Sequence, residues 1–333
     1  MWMSEILLNY TRGGKVESRH RADVAVVDVT GKNIWEFGES RRSMFWRSAA
    51  KPFQLIPFVE RGGIHLFGLT SEEVAFMVSS HSGEAQHVEL AYSVLGKIGL
   101  TVEALACGPA KPMSSKVAKE LTLQRSPYQA VHNACSGKHC GMLALAQMLH
   151  VTIKGYTELE HPVQQLMHQA VADSAFLPKD VVETGIDGCG VPVFYLPLYN
   201  MAWAYARLAK PEQGDWGERE TVVRSIRDAM LAHPQVIAGS KRFDTVLMNI
   251  TKGRILAKIG SEAVYCLASV PDGIGITYKI DDGGYRAVAP AGIAILKKMD
   301  LISISEHQEL LGAFSHILKN HRGDNIGTVE SVL

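Results

Sequence analysis

The stretch ADVAVVDVTGKNIWEF, residues 22–37, contains two runs rich in β-branched and aromatic residues on either side of the turn sequence TGKN. Runs of this kind, interrupted by Gly and Asn, predict an antiparallel hairpin. Toward the amino terminus, EILLNYTR at residues 5–12 predicts a further strand. Far along the chain, GRILAKIG (253–260), AVYCLA (263–268) and IGITYKI (274–280) predict three more. Strands are therefore expected at both ends of the chain.

The middle of the chain has the apolar spacing of helices instead. The clearest helical segments are EAQHVELAYSVLGKIG (84–99), GMLALAQMLHV (141–151) and PVQQLMHQAVADSAFL (162–177). Sheet at both ends around a helical middle predicts an α/β (α+β) fold, in which an antiparallel sheet is flanked by helices and carries an inserted helical lobe. The chain is expected to be a single domain over residues 1–333. Its α/β lobe would come from residues 1–65 and 235–333, and its helical lobe from 66–234.

Two further elements are predicted near the carboxyl terminus. The turn sequence DDGG is followed by YRAVAP, residues 285–290, which reads as another strand of the sheet. The amphipathic segment SISEHQELLGAFSHILKN, residues 303–320, predicts a closing helix.

Composition narrows the class of partner. Lysine plus arginine equals aspartate plus glutamate at 34 each, so no net charge attracts nucleic acid or an anionic membrane. No apolar run approaches the ~18 residues of a membrane helix, and the start MWMSEILLNYTR lacks a basic region ahead of a long apolar core. Five cysteines, an odd number without a short-range framework, argue against a disulfide-built secreted fold. A cytoplasmic protein with a small-molecule partner is expected.

The segment FWRSAAKPFQ, residues 45–54, contains a serine and a lysine three positions apart, Ser48 and Lys51. On one helical turn these side chains share a face, so the amine could reach the hydroxyl. Pro52 is tolerated only in the first helical turn, which places the pair at a helix N-terminus, where the dipole favours a developing oxyanion. The same spacing arises about once by chance in a chain of this composition, so context has to decide.

Two other segments carry residues that suit the same chemistry. VSSHSGE, residues 78–84, is dense in hydroxyls, and it reads either as a serine-rich helix cap or as part of a site. Lys258 lies on a predicted strand, where a lysine commonly faces solvent. Its Lys-Ile-Gly context is nonetheless similar to the Lys-Thr-Gly strand of penicillin-recognising enzymes, which also use Ser-x-x-Lys.

The segment HNACSGKHCGM, residues 132–142, precedes an apolar helix and is rich in possible metal ligands. These are His132, Cys135, Lys138, His139 and Cys140. Clustered cysteine and histidine suit zinc, but the spacing is not that of a zinc finger, so a remote ligand is needed and Cys189 is the plausible one. The alternative is that the cysteines are structural. Asp187, in the same glycine-flanked loop as Cys189, is either a turn residue or a substrate anchor.

Together these motifs resemble one enzyme family over residues 10–330. The motifs are RSAAKPFQ, SSHSGE, HNACSGKHCGMLA, GIDGCGVP, GSKRFDT and DDGGYRA, and they are similar to those of the L-asparaginase II family, the rhizobial-type or third structural class of L-asparaginases. The resemblance implies a fold related to serine β-lactamases and glutaminases. It also implies hydrolysis of L-asparagine to L-aspartate and ammonia, by a homodimer.

The resemblance also assigns roles to residues of this chain. Ser48, as nucleophile, and Lys51 would form one Ser-Lys tandem, and Ser80 and Lys258 a second that converges on the same site. Zinc would be held by Cys135, Lys138 and Cys189, with water completing its coordination. Arg47, Asp187 and His139 match positions around the substrate. The KIGSEA stretch after Ala257 differs from the more glycine-rich segment expected in the family.

Two alternatives stay open at this point. The first is a penicillin-binding or β-lactamase-like serine hydrolase, although the chain lacks Ser-Asp-Asn and Lys-Thr-Gly. The second is a zinc-stabilised binding protein without catalytic activity. A choice between asparagine and glutamine, which differ by one methylene, does not follow from the sequence.

Overall fold

A computed structural model describes residues 4–333. Its strands are β1 (Glu5–Arg12), β2 (Lys15–Asp28), β3 (Asn33–Phe37), β4 (Ser43–Phe45), β5 (Glu183–Ile186), β6 (Pro192–Pro197), β7 (Ile255–Ile259), β8 (Val264–Ser269), β9 (Ile274–Ile280), β10 (Ile317–Lys319) and β11 (Asn325–Ser331).

The α-helices lie mainly between β4 and β7. They are α1 (Lys51–Gln54), α2 (Ile56–Glu60), α3 (Gly63–Leu66), α4 (Ser71–Met77), α5 (Ala85–Lys97), α6 (Ser115–Leu123), α7 (Ser136–Met148), α8 (Pro162–Ser174), α9 (Leu198–Ala209), α10 (Glu220–Ala232), α11 (Pro234–Ile237), α12 (Phe243–Ile250), α13 (Val288–Lys298) and α14 (Ile304–Ala313).

The main sheet has the strand order β10-β11-β1-β2-β9-β8-β7, with β3 paired to β2. Its strands pair antiparallel, and all of them come from residues 5–37 and 255–331. The hairpin predicted from residues 22–37 is present, with Val24 opposite Phe37. The prediction of a mixed α/β fold, with an antiparallel sheet flanked by helices, is confirmed. The division into lobes at residues 66 and 234 stays a prediction.

Helix α9 packs closely on the main sheet, and Gly275 on β9 makes this approach possible. A Cβ atom at residue 275 would lie 1.9 Å from the carbonyl oxygen of Ala202 on α9. Real Cβ atoms do not come that close to backbone, so any larger residue has to move the helix away from the sheet.

We expect Gly275→Ala to lower the free energy of unfolding by about 1–3 kcal/mol, because the added methyl overpacks the interface between helix and sheet. Gly96, near the end of α5, is the matched control, since a Cβ there meets nothing within 4 Å. Gly96→Ala should be neutral or stabilise by up to about 1 kcal/mol. Denaturant unfolding of both variants checks the prediction, and equal midpoints for the two would contradict it.

A smaller sheet, β4-β6-β5, brings Ser48 into the interior. After β4 the chain is held by a hydrogen bond from the N–H of Trp46 to the carbonyl of Phe194, 2.8 Å. Trp46 is fully buried and stacks on Phe53 of α1. Between β4 and α1, Arg47–Ala50 form a 3-10 helix, so Ser48 lies in a lead-in turn as predicted, whereas Lys51 is the first residue of α1.

Two expectations for the carboxyl-terminal region are wrong. YRAVAP is helical: Tyr285–Ala287 form a 3-10 turn that continues into α13, with Pro290 in the first turn of that helix, where proline is tolerated. The predicted closing helix ends at Ala313, and the residues after it form β10, which pairs with β11. The three residues of β10 form a strand because β11, which follows later in the chain, pairs with them. Within residues 4–333 no helix is long and apolar enough to cross a membrane.

Candidate active site

Two buried lysines converge on the hydroxyl of Ser80. The Nζ atom of Lys258 lies 2.7 Å from Ser80 Oγ, and that of Lys51 lies 3.1 Å from the same oxygen. The two amine nitrogens are therefore no further apart than the sum of these distances. Lys51 is 1% exposed and Lys258 is fully buried. The structure thus brings together residues 51, 80 and 258, of which the first and last are 207 positions apart in the sequence.

Both amines are also held by backbone carbonyls. Lys51 Nζ donates to the carbonyl of Ser79 at 2.6 Å and lies 3.4 Å from that of Ala134. Lys258 Nζ donates to the carbonyl of its own neighbour Ile259 at 3.0 Å. These acceptors fix the direction of each amine toward Ser80.

Ser48 is in a different situation. It is buried, at 8% exposed, and its hydroxyl makes no hydrogen bond among the described residues, including none with Lys51. The preceding residue, Arg47, has a φ of 53°, in the left-handed region that a non-glycine residue seldom adopts. Strain of this kind clusters at functional sites. The hydroxyl of Ser48 therefore has no hydrogen-bond partner among the described residues, whereas Ser80 Oγ accepts from both amines.

Burial shifts the ionisation of both amines. It lowers the pKa of Lys51 and lowers that of Lys258 further, and the charge of Lys51 adds to the effect on Lys258. A lysine whose ammonium form is disfavoured releases its proton at a lower pH than usual, and its neutral amine can then act as a base. The pair of lysines around one hydroxyl can therefore exchange a proton with it.

The loop that carries Ser80 is fixed by His81, a residue to which sequence reasoning gave no role. Its Nδ1 accepts a hydrogen bond from the N–H of Gly83 at 3.1 Å, which leaves Nε2 as the protonated nitrogen facing Ser136 Oγ at 2.8 Å. Burial holds the pKa of His81 well below its usual range, so the ring stays neutral beside the lysines. The one sequence feature that could have indicated this role of His81 is the density of polar residues in VSSHSGE.

A second cluster contains two thiols, an amine and a carboxylate. One ligand atom from each of Cys135, Asp187 and Cys189 lies within 4.8 Å of the others, an arrangement that could hold a metal ion. Lys138 Nζ lies 3.1 Å from Cys189 Sγ and 3.7 Å from Asp187 Oδ2. The structure therefore brings the three sequence-predicted ligands together. It also places Asp187, predicted as a substrate anchor, among them.

Charges in this cluster are strongly coupled. A hydrogen bond from Cys189 lowers the pKa of Cys135 well below its usual range, and the same bond, with burial, raises the pKa of Cys189. Burial disfavours the ammonium of Lys138, but the neighbouring thiolates and carboxylate outweigh it and raise the lysine pKa. The surroundings therefore favour the charged forms of Cys135 and Lys138 and disfavour that of Cys189.

The remaining predicted residues surround this cluster. Arg47 forms an ion pair with Asp187, with Nη2 2.9 Å from Oδ1. His139 is fully buried, and its Nδ1 lies 2.7 Å from the hydroxyl of Tyr156, which accepts from the N–H of Ala106. With the phenol donating to Nδ1, His139 Nε2 carries the proton, and this atom has no hydrogen-bond partner among residues 4–333.

Fold and site together define a mixed α/β protein with a buried serine–lysine centre of the kind that supports nucleophilic catalysis. The chain belongs to the family described as L-asparaginase II, which it matches over residues 8–331. This membership makes it an asparaginase-like amidohydrolase.

No curated protein matches the chain. Among solved structures it is similar to a β-lactamase from Mycobacterium bovis, with 11% identity, a TM-score of 0.42 and coverage of 83% of this chain and 94% of that one. A putative β-lactamase from Bacteroides dorei shows 12% identity, a TM-score of 0.43 and coverage of 83% and 93%. A protein named Mglu shows 17% identity, a TM-score of 0.38 and coverage of 84% and 67%.

Proposed function

We propose that the protein hydrolyses L-asparagine to L-aspartate and ammonia through an acyl-enzyme formed on a serine. The observation that carries the proposal is the convergence of two buried lysine amines on Ser80, together with a second buried serine, Ser48, whose hydroxyl makes no hydrogen bond among the described residues. Family membership supplies the substrate class.

In this proposal Ser48 is the nucleophile. Lys51, three residues on, takes the hydroxyl proton while Oγ attacks the side-chain carbonyl carbon of asparagine. Backbone amides stabilise the oxyanion. A proton delivered through Ser80 and Lys258 reaches the amide nitrogen as the carbon–nitrogen bond breaks, and ammonia leaves. Water then hydrolyses the aspartyl ester and restores Ser48.

The substrate is a zwitterion, and the charged pair beside the serines complements it. Arg47 would bind the α-carboxylate and Asp187 the α-ammonium, because the two groups lie together at 2.9 Å. The unpartnered Nε2–H of His139 would donate to a substrate oxygen. Asp187 would then pair with the substrate ammonium in place of Arg47, so its carboxylate would keep a cationic partner.

We also propose that Cys135, Lys138 and Cys189 hold a zinc ion. Two cysteine sulfurs are ligands that zinc prefers, and the Lys138 amine, 3.1 Å from Cys189 Sγ, would supply the third. Bound zinc would supply a fixed positive charge that orders the substrate pocket. Because Lys138 has to lose its proton to become a ligand, metal affinity should rise with pH.

Removal of zinc with a chelator should raise the KM for asparagine more than it lowers kcat, because the residues that bind the substrate share the cluster. Steady-state kinetics with and without chelator check this. Cys135→Ser should reproduce the effect, and Cys107→Ser, at a buried cysteine outside the cluster, should not. If chelation leaves both constants unchanged and lowers only the thermal midpoint, the metal is structural.

The decisive experiment is an ammonia-release assay on asparagine and on glutamine with the purified protein. Release from asparagine supports the proposal, and no release from either amide favours a non-catalytic binding protein. Incubation with a labelled penicillin tests the alternative of a β-lactamase-like hydrolase, which covalent labelling would support. The proposal includes a cytoplasmic homodimer without nucleic-acid or membrane partners, and light scattering tests the oligomeric state.

A further inference from the structure

Asp244 is a buried carboxylate in the segment GSKRFDT, residues 239–245, to which the mechanism above assigns no role. It lies in the first turn of α12 and is 1% exposed. One oxygen, Oδ1, accepts a hydrogen bond from the N–H of Ile259 at 2.8 Å. The other oxygen, Oδ2, makes no hydrogen bond within normal geometry among residues 4–333, although burial and the Asp244 carboxylate together raise the pKa of the Tyr265 hydroxyl. Such a poorly solvated carboxylate is costly to bury unless a nearby charge compensates it.

The hydrogen bond from the Ile259 N–H to Asp244 lies at the open edge of the main sheet. Strand β7 pairs only with β8, and Gly260, the residue after Ile259, donates its N–H to Val264 on the β8 side at 2.8 Å. Along an antiparallel pair, residues alternate in the side to which both backbone groups point. Both the N–H and the C=O of Ile259 therefore point away from β8, to the side where no strand follows.

Those two outward groups connect Asp244 to the serine–lysine centre. The N–H of Ile259 is bound by Asp244, and its C=O accepts from Lys258 Nζ at 3.0 Å, the same amine that lies 2.7 Å from Ser80 Oγ. The carboxylate thus fixes the backbone unit that orients the lysine. The Asp244 carboxylate thus takes the place of a neighbouring strand and holds the end of β7 near Ser80.

Asp244 also contributes charge at this point. Four charged or titratable groups act on the Lys258 amine: the cations Lys51 and Arg242, the carboxylate of Asp244 and the thiol of Cys135. Burial lowers the pKa of Lys258 most and Lys51 lowers it further, whereas Asp244 acts in the opposite direction. At the Lys258 amine, the carboxylate therefore offsets part of the effect of burial and of the Lys51 charge.

We infer that Asp244 is a positioning residue of the amide-hydrolysing centre, which anchors the edge strand so that the Lys258 amine meets Ser80 and which places a negative charge near that amine. This inference rests on the proposed role of Lys258. It assigns the GSKRFDT segment two separable tasks, one of geometry and one of charge.

The test uses two substitutions that separate these tasks. Asp244→Asn keeps an oxygen that can accept from the N–H of Ile259 but removes the charge, whereas Asp244→Ala removes both. The readout is a titration of the lysine amines by ¹⁵N NMR in the whole protein, in which the Lys258 resonance is identified by its loss in Lys258→Met. This readout does not depend on catalytic activity.

In Asp244→Asn the titration of Lys258 should move to lower pH, because a lost negative neighbour disfavours the ammonium form, while the thermal midpoint changes little. Asp244→Ala should lower kcat/KM about 100-fold, as expected for a misplaced catalytic group. Asp23→Asn is the control, since Asp23 is a fully buried carboxylate on β2 bonded to Ser4 and Arg42. It should leave the Lys258 titration unchanged.

An unchanged Lys258 titration in Asp244→Asn would overturn the inference. If Asp244→Ala does not fold, the titration of Asp244→Asn is the sole test. Wild-type kcat/KM in a folded Asp244→Ala with only a lower midpoint would overturn it as well. These results are distinct from a failure of the proposed function, in which the unmodified protein releases no ammonia from asparagine.

Discussion

Ser48→Ala should lower kcat for asparagine by at least about 1,000-fold, because loss of a nucleophile leaves only binding and oxyanion stabilisation. The Ser48 hydroxyl makes no hydrogen bond among the described residues, so its loss should leave the thermal midpoint nearly unchanged. Steady-state ammonia release, together with a melting curve, measures both quantities.

Ser79→Ala is the matched control for this substitution. Ser79 is fully buried in the same centre, and its Oγ has no partner among residues 4–333. Its backbone carbonyl, which binds Lys51, is retained in the variant. Rapid quenching with asparagine and mass analysis of the peptides then locates the acyl group. Near-normal turnover in Ser48→Ala, or an acyl group on Ser80, would show that Ser48 is not the nucleophile.

Lys258→Met should lower kcat by about 100- to 10,000-fold, the range typical for loss of a general acid–base group. Methionine fills a similar volume without the amine, so Ser80 loses its 2.7 Å partner while the strand can stay in place. The midpoint should not fall, because the substitution replaces a buried amine by an apolar side chain of similar volume. Activity across a pH series and thermal melting test the two statements.

Lys279→Met provides a close comparison. Lys279 lies on β9 of the same sheet and, like Lys258, donates to the carbonyl of the following residue, Ile280, but it makes no contact with Ser80. Its replacement should leave kcat unchanged. Equal losses in the two variants would assign the effect to the sheet rather than to the amine at position 258.

The regular parts of the fold were predictable because their patterns are local. Runs rich in β-branched and aromatic residues at 22–37 and 253–280, and helical spacing at 84–99 and 162–177, identify elements without reference to neighbours. Prediction failed at YRAVAP, where valine and alanine suit strand or helix and the long apolar run beyond Pro290 continues as α13. It also failed at β10, whose three residues are ordered by β11.

The candidate site was predictable to a lesser extent. Ser48, Ser80, Lys51 and Lys258 were selected by residue type and by resemblance, but their partners were not. One helical turn suggested a bond between Ser48 and Lys51, whereas the Lys51 amine points to Ser79 and Ser80. Sequence spacing around Lys51 does not reveal that the loop of residues 78–84 packs against it. In the structure, the carbonyl of Ser79 in that loop accepts a hydrogen bond from the Lys51 amine.

The roles of Asp187 and Asp244 show the same limit. In the sequence, Asp187 is a glycine-flanked loop residue and Asp244 a helix-start residue, both ordinary places for aspartate. In the fold one lies among two thiols and an amine, and the other binds the open edge of a sheet. Nothing in their local context carries that information.

The amino-acid sequence by itself determined the class of fold, the residue types available for chemistry and the family, because each depends on patterns or motifs that are contiguous in the chain. Only the tertiary structure decided which hydroxyl both amines approach and which carboxylate supports them. Those distances join residues of separate helices, loops and strands, and the packing of the sheet against the helical segments sets them.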